Sequence, residues 1–130
     1  MKILTDKELL YLDLCARLPY NVVLRCTDEN DPSVCFNCVL TEDILNDIRK
    51  EHPRWTYKPY LIPLRRMTFT ERNELCKEFY VGDEYGIRVE PPEPEECYTA
   101  VDWLNEGKYD YRYLIEKDLA IEVTEQNNPY

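Results

Sequence analysis

Glycine is scarce: Gly82, Gly86 and Gly107 are the only ones in 130 residues. A loop that cradles phosphate with its backbone N–H groups needs several glycines at fixed spacing, so phosphate-loop chemistry of that kind is excluded. Histidine is scarcer still. His52 is the single conventional general base at neutral pH, and it stands beside Pro53 in the charged stretch Arg49-Lys50-Glu51. No recognisable nucleophile accompanies it, and a solvated histidine at a helix end explains it. Long apolar runs are missing too, since nothing approaches the roughly 20 residues of a membrane-spanning helix. The N-terminus, Met1 to Lys7, turns polar at once and lacks the apolar run of a secretory signal. The expectation is a chain of the cytoplasm with no membrane contact.

Positive charge is short in one half only. Residues 1–70 carry ten acidic and ten basic side chains, whereas residues 71–130 carry sixteen acidic and six basic. The whole net charge of −10 therefore falls in the second half. Such a field repels phosphate backbones, so nucleic-acid binding is not expected. A cationic protein partner, mimicry of a nucleic acid, and simple solubility all fit the same excess.

Six cysteines stand at 15, 26, 35, 38, 76 and 97. A disulfide framework belongs to short, secreted chains with little core, and this chain has an ordinary apolar content. Cys15 and Cys76 fall within apparent amphipathic helices, where a reduced thiol packs as a small hydrophobe. Reduced thiols are expected. Cys35-Phe36-Asn37-Cys38 is the sharpest local motif. Cys26, Cys35 and Cys38 are the candidate zinc ligands, with His52 or Cys15 needed to complete a tetrahedral set. The pair lies between Val34 and Val39, however, and in a strand positions i and i+3 point to opposite faces. A redox motif would require a helix to follow directly, and Val39-Leu40 continues the strand pattern instead. No metal and no cofactor are expected.

Thr5-Asp6-Lys7-Glu8 has the form of a capping box. Leu9, Leu12 and Ala16 then share one helical face, with Leu10, Leu14 and Leu18 beside it, until Pro19 stops the helix. Val22 to Cys26 and Val34 to Leu40 read as strands joined by the polar turn 28–33, a β-hairpin. Thr41 starts a helix through Ile44, Leu45 and Ile48. Residues 55–64 are extended but hold Pro59 and Pro63, which suggests an edge strand or an irregular segment. Thr68 to Glu71 repeats the capping box and opens a helix through Phe79. Ile87 to Val89 is a candidate strand, and Pro91, Pro92 and Pro94 form a stiff connector. A helix from Glu95 carries Cys97, Val101 and Leu104, with Gly107 as its C-terminal cap. Residues 109–117 read as a short helix, 119–123 as a final strand, and 124–130 as a frayed tail.

The expected fold is α+β: an N-terminal helix, a β-hairpin and short strands in a small, mostly antiparallel sheet, with three to four further helices packed on it. Residues 1–123 form one domain, with a subdivision near 90–94 as the alternative. Eleven tyrosines are many for this length. Tyrosine joins a large apolar area to a polar tip, so it suits interfaces and core boundaries alike. Tyr109, Tyr111, Arg112 and Tyr113 are the candidate partner-binding residues.

Three segments carry a resemblance: Leu4 to Leu10 leading to Asp13 to Tyr20, then Lys58 to Thr68, and Tyr109 to Ala120. Together they resemble a family of small proteins, without established function, from gut Bacteroides genomes and their phages and mobile elements. Two departures stand out, for that family usually has glycine where Tyr113 stands and often serines at Arg65 and Arg66. The resemblance implies a bacterial or phage cytoplasmic origin and nothing about mechanism. The functional expectation is a non-catalytic protein-binding module, an accessory or inhibitor protein of a phage or mobile element. The alternatives are a zinc module through the three cysteines and a small-ligand binder.

Overall fold

The computed structural model describes residues 3–71 and 101–130. The expected helix beyond Glu71, with Cys76 and Phe79, lies outside the described residues, as do Cys97, the strand at 87–89 and the proline connector. Helix α1 spans Asp6–Arg17 and opens on the capping box: the Thr5 hydroxyl accepts from Glu8 N at 3.2 Å, while Glu8 Oε1 accepts from Thr5 N at 3.3 Å. Two donors that a helix start leaves without a partner are thereby satisfied. Of the two apolar stripes, Leu10 and Leu14 are buried in the core, Leu9 and Leu18 pack against its margin, and Leu12 stays outside. A short 3-10 turn, Leu18–Tyr20, ends on Asn21 at φ 55°, a left-handed position that asparagine tolerates.

The hairpin forms as the sequence reads. Strand β1, Val23–Asp28, pairs antiparallel with β2, Cys35–Val39. Its turn is held by Asp31, which accepts from Ser33 N and Oγ, and by Asp28, which accepts from Asn30 N. Helix α2, Glu42–Ile48, is capped by Thr41 and buries Leu45 and Ile48.

The third strand departs from expectation. Strand β3, Trp55–Pro63, lies inside the sheet, antiparallel to β1 and flanked by two short parallel strands, β4 (Tyr109–Asp110) and β5 (Ile121–Glu122). Ladder parity explains why Pro59 is allowed there. Val22 and Asp28 turn their backbone groups toward β2, bonding Leu40 N and Val34 O, while Glu29 N turns the other way to Arg54 O. Leu24 shares the parity of Val22 and Asp28, so its partner Pro59 meets β1 at a position that asks for no N–H. The sheet runs β2-β1-β3-β4, with β5 also on β3. Ile62 N donates to Lys108 O and Leu61 O accepts from Val123 N. These two groups belong to one trans peptide unit, so β4 and β5 take opposite edges of β3.

Residues 109–117 are not a helix. Lys108, Tyr113 and Asp118 sit at φ 63°, 59° and 59°, and left-handed residues at this spacing break helical propagation. Instead Asp110 folds the chain back, accepting from Leu114 N at 2.9 Å and Ile115 N at 3.0 Å. The tail is not frayed either. The Tyr130 hydroxyl accepts from Val23 N at 3.0 Å and donates to Tyr60 O at 2.8 Å, which bridges β1 and β3. Burial pushes its pKa up to about 12, against the opposing pull of the Val23 hydrogen bond and Arg17.

The core joins Leu10 and Leu14 to Val22, Leu24 and Cys26, to Leu40, Leu45 and Ile48, and to Tyr57, Leu61, Leu114 and Ala120. The architecture is α+β, with helices and a small, mostly antiparallel sheet. No helix among the described residues is long and apolar enough to cross a membrane.

Candidate interaction surface

The segment expected to meet a partner faces largely inward. Tyr109 is buried, stacked on Trp103 at 5.7 Å with planes 6° apart. Its ring lies so close to Gly107 that a Cβ there would sit 2.7 Å from Tyr109 Cε2. Gly107 is thus needed for this approach, and Lys108 takes the left-handed turn. The Tyr109 hydroxyl donates to Glu71, which holds that carboxyl below its usual range, while burial and Glu71 raise the tyrosine.

Tyr111 and Arg112 join a buried ionic lock. Asp13 and Arg17, one helical turn apart, are both fully buried. Asp13 accepts from Arg17 Nε at 2.7 Å, Arg17 Nη2 at 3.2 Å and Arg112 Nη1 at 2.9 Å. Arg17 Nη2 also donates to Tyr109 O at 2.7 Å, which ties β4 to α1. The Tyr111 ring lies 5.0 Å from the Arg17 guanidinium and 4.9 Å from that of Arg112, and its hydroxyl donates to buried Asn105 at 2.7 Å. Both guanidiniums meet the electron-rich ring, an arrangement that gains strength away from water. Tyr113 alone among the four candidates stands in solvent, 58% exposed.

Asp13 and Arg17 escaped the reading of the sequence. Their signal is positional: with Leu10 and Leu14 they complete the i, i+3, i+4, i+7 pattern of a buried helical stripe.

The three candidate metal ligands do not converge. Cys26 and Cys38 share the core side of the sheet, where burial first, and then the neighbouring Cys38 thiol, push the Cys26 thiol upward. Cys35 lies on the opposite face, in contact with Arg25 Nη2 at 3.6 Å. Strand alternation separates it from the others. Among the described residues no group of three or more His, Cys, Asp or Glu is arranged to hold a metal. His52 is exposed.

A cleft of about 330 Å³ lies between the start of α1, the end of α2 and the start of β3, floored by Leu10, Ile48 and Tyr57. Part of its polar rim is engaged within the chain: Lys7 donates to Lys50 O, Lys58 pairs with Asp118 at 3.1 Å, and Tyr57 donates to Asp47 at 2.6 Å, while Asp6, Glu29 and Glu51 complete the lining.

The hairpin arm presents the opposite character. Every residue of β2 except Cys38 is exposed. Val34, Phe36 and Val39 are 43%, 49% and 48% exposed, and Phe36 extends its surface by meeting Trp55 edge-on at 5.2 Å. Residues 32–41 carry no charge at all, the longest such run in a chain that is 32% charged. Edge strands are ordinarily blunted by lysine, proline, a bulge or a covering element. Strand β2 contains neither lysine nor proline, and its register with β1 runs unbroken from Val23↔Val39 to Thr27↔Cys35. Among the described residues, only β1 pairs with it. The chain matches no family model, no curated protein and no solved structure.

Proposed function

We propose that this chain is a non-catalytic protein-binding module that receives its partner by strand addition along β2. The observation that carries the reading is the uncharged, exposed edge strand in a strongly charged chain. Backbone groups on such an edge supply affinity, and alternate side chains, here Phe36 and Val39, supply selectivity. An accessory or inhibitor protein of a phage or mobile element, the role suggested by the absent catalytic motif, the one-sided acidic charge and the tyrosine clusters, would work through contacts of this kind. Tyr113 is a second point of contact, an exposed aromatic held in a left-handed conformation that its own packing does not reward.

The test is affinity purification with two baits, the natural sequence and Val39→Lys. A protein retained by the first and lost from the second, an untagged copy of the chain included, supports the reading. Identical partner sets for the two baits, or none for either, remove it.

A further inference from the structure

We infer that the occupant of the β2 edge is a second copy of this chain, paired antiparallel about a two-fold axis through Asn37; this rests on the strand-addition reading above. The parity of the ladder fixes the register. Val34 O and Leu40 N are turned toward β1, bonding Asp28 N and Val22 O. Cys35, Asn37 and Val39 therefore turn their N–H and C=O groups outward, since successive residues of a strand alternate edges. A two-fold axis relates a surface to itself, so the pairing must map this outward set onto itself. Asn37 is the middle of the set. Placing the axis there sets Asn37 against its copy and Cys35 against the partner's Val39, each pair exchanging two backbone hydrogen bonds.

The side chains agree with that register. Phe36 and Cys38 share the core-side face, so Phe36, half exposed in the single chain, comes to lie against Cys38 of the partner subunit. On the other face Val39 packs beside Cys35 of the partner subunit. No charged side chain lies on either strand. Two molecules that each carry a net −10 repel when their charged faces meet, and the run 32–41 is where they approach with least opposition. A different protein could use the same edge; the uncharged run 32–41 is what lets two chains of net −10 meet there, and the concentration dependence below separates the two occupants.

Sedimentation equilibrium on the natural chain, from about 1 to 500 μM, is the experiment, and a dissociation constant on the order of micromolar is expected. Val39→Lys places a charge twice in a symmetric interface and weakens association at least about tenfold. Hydrogen exchange on the unmodified protein is the second readout and does not depend on the variant folding. The amides of Cys35, Asn37 and Val39 slow as concentration rises, while those of Phe36 and Cys38, already turned to β1, and of Val34, bonded to Asp31 O, do not. A chain that stays monomeric throughout overturns the proposal but leaves strand addition by another protein to the two-bait purification. A dimer that survives Val39→Lys with unchanged exchange at 35, 37 and 39 lies elsewhere and overturns it as well.

Discussion

The ionic lock and the hairpin arm place polar and apolar groups in opposite senses. Around Asp13 and Arg17, charge is buried beneath β4 and the turn that follows it. Along β2, apolar side chains stand in water beside an edge that, among the described residues, pairs with β1 alone. The two regions ask for different explanations. Buried charges with bonded neighbours define which segment docks and how, and removing one partner strands the other. An exposed apolar edge contributes little to the single chain and becomes informative only when something covers it.

The comparison is broken most forcefully at Asp13. Asp13→Ala leaves the buried Arg17 without its counter-ion and should cost about 3–5 kcal/mol, read by urea unfolding. The double variant Asp13→Leu/Arg17→Met should lose less than the sum of its parts, because no fully buried charge is left alone and Arg112, which also loses Asp13, is partly exposed to water. Next comes the tail. Tyr130→Phe removes one hydroxyl that serves two backbone groups and should cost about 1 kcal/mol. Its pH dependence follows from the raised value of about 12 against an unfolded value near 10. The folded chain keeps that proton longer, so the contribution is complete below about pH 10 and fades as pH rises toward 12. Alkaline unfolding of Tyr130→Phe should lack this component. Tyr113→Gly relieves a left-handed tyrosine, though a freer unfolded chain offsets part of the gain, leaving about 0.5 kcal/mol of stabilisation by thermal unfolding. Val39→Lys should change monomer stability by under about 0.5 kcal/mol, as exposed sites do. If Val39→Lys instead unfolds the chain, the arm belongs to the core and the contrast between the regions disappears.

Local chemistry was legible in the sequence. Thr5 with Glu8, Thr68 with Glu71, Thr41 and the turn at Asp28 to Ser33 act within a few residues of themselves, and each stands where the pattern put it. The separation of Cys35 from Cys38 followed from strand alternation alone. What could not be read depends on distant partners. Tyr109 resembles an interface residue until Trp103 and Glu71 close over it. Arg112 resembles a surface charge until its Nη1 donates to Asp13, far back in the chain. Residues 109–117 have helical composition, yet the fold needs left-handed turns there so that Asp110 can receive Leu114 and Ile115. The exposed edge was hidden for a simpler reason: a strand's sequence does not say whether one neighbour or two will flank it.

Pro59 has one more consequence. If β3 slid by a single residue along β1, its ring nitrogen would enter a slot where the ladder demands a donor, and Leu61 and Tyr57 would change faces. An imino acid that is harmless in one alignment thus becomes a veto on its neighbours. The proline works as a phase marker for the sheet, discouraging misaligned pairings while the chain is still finding its partners.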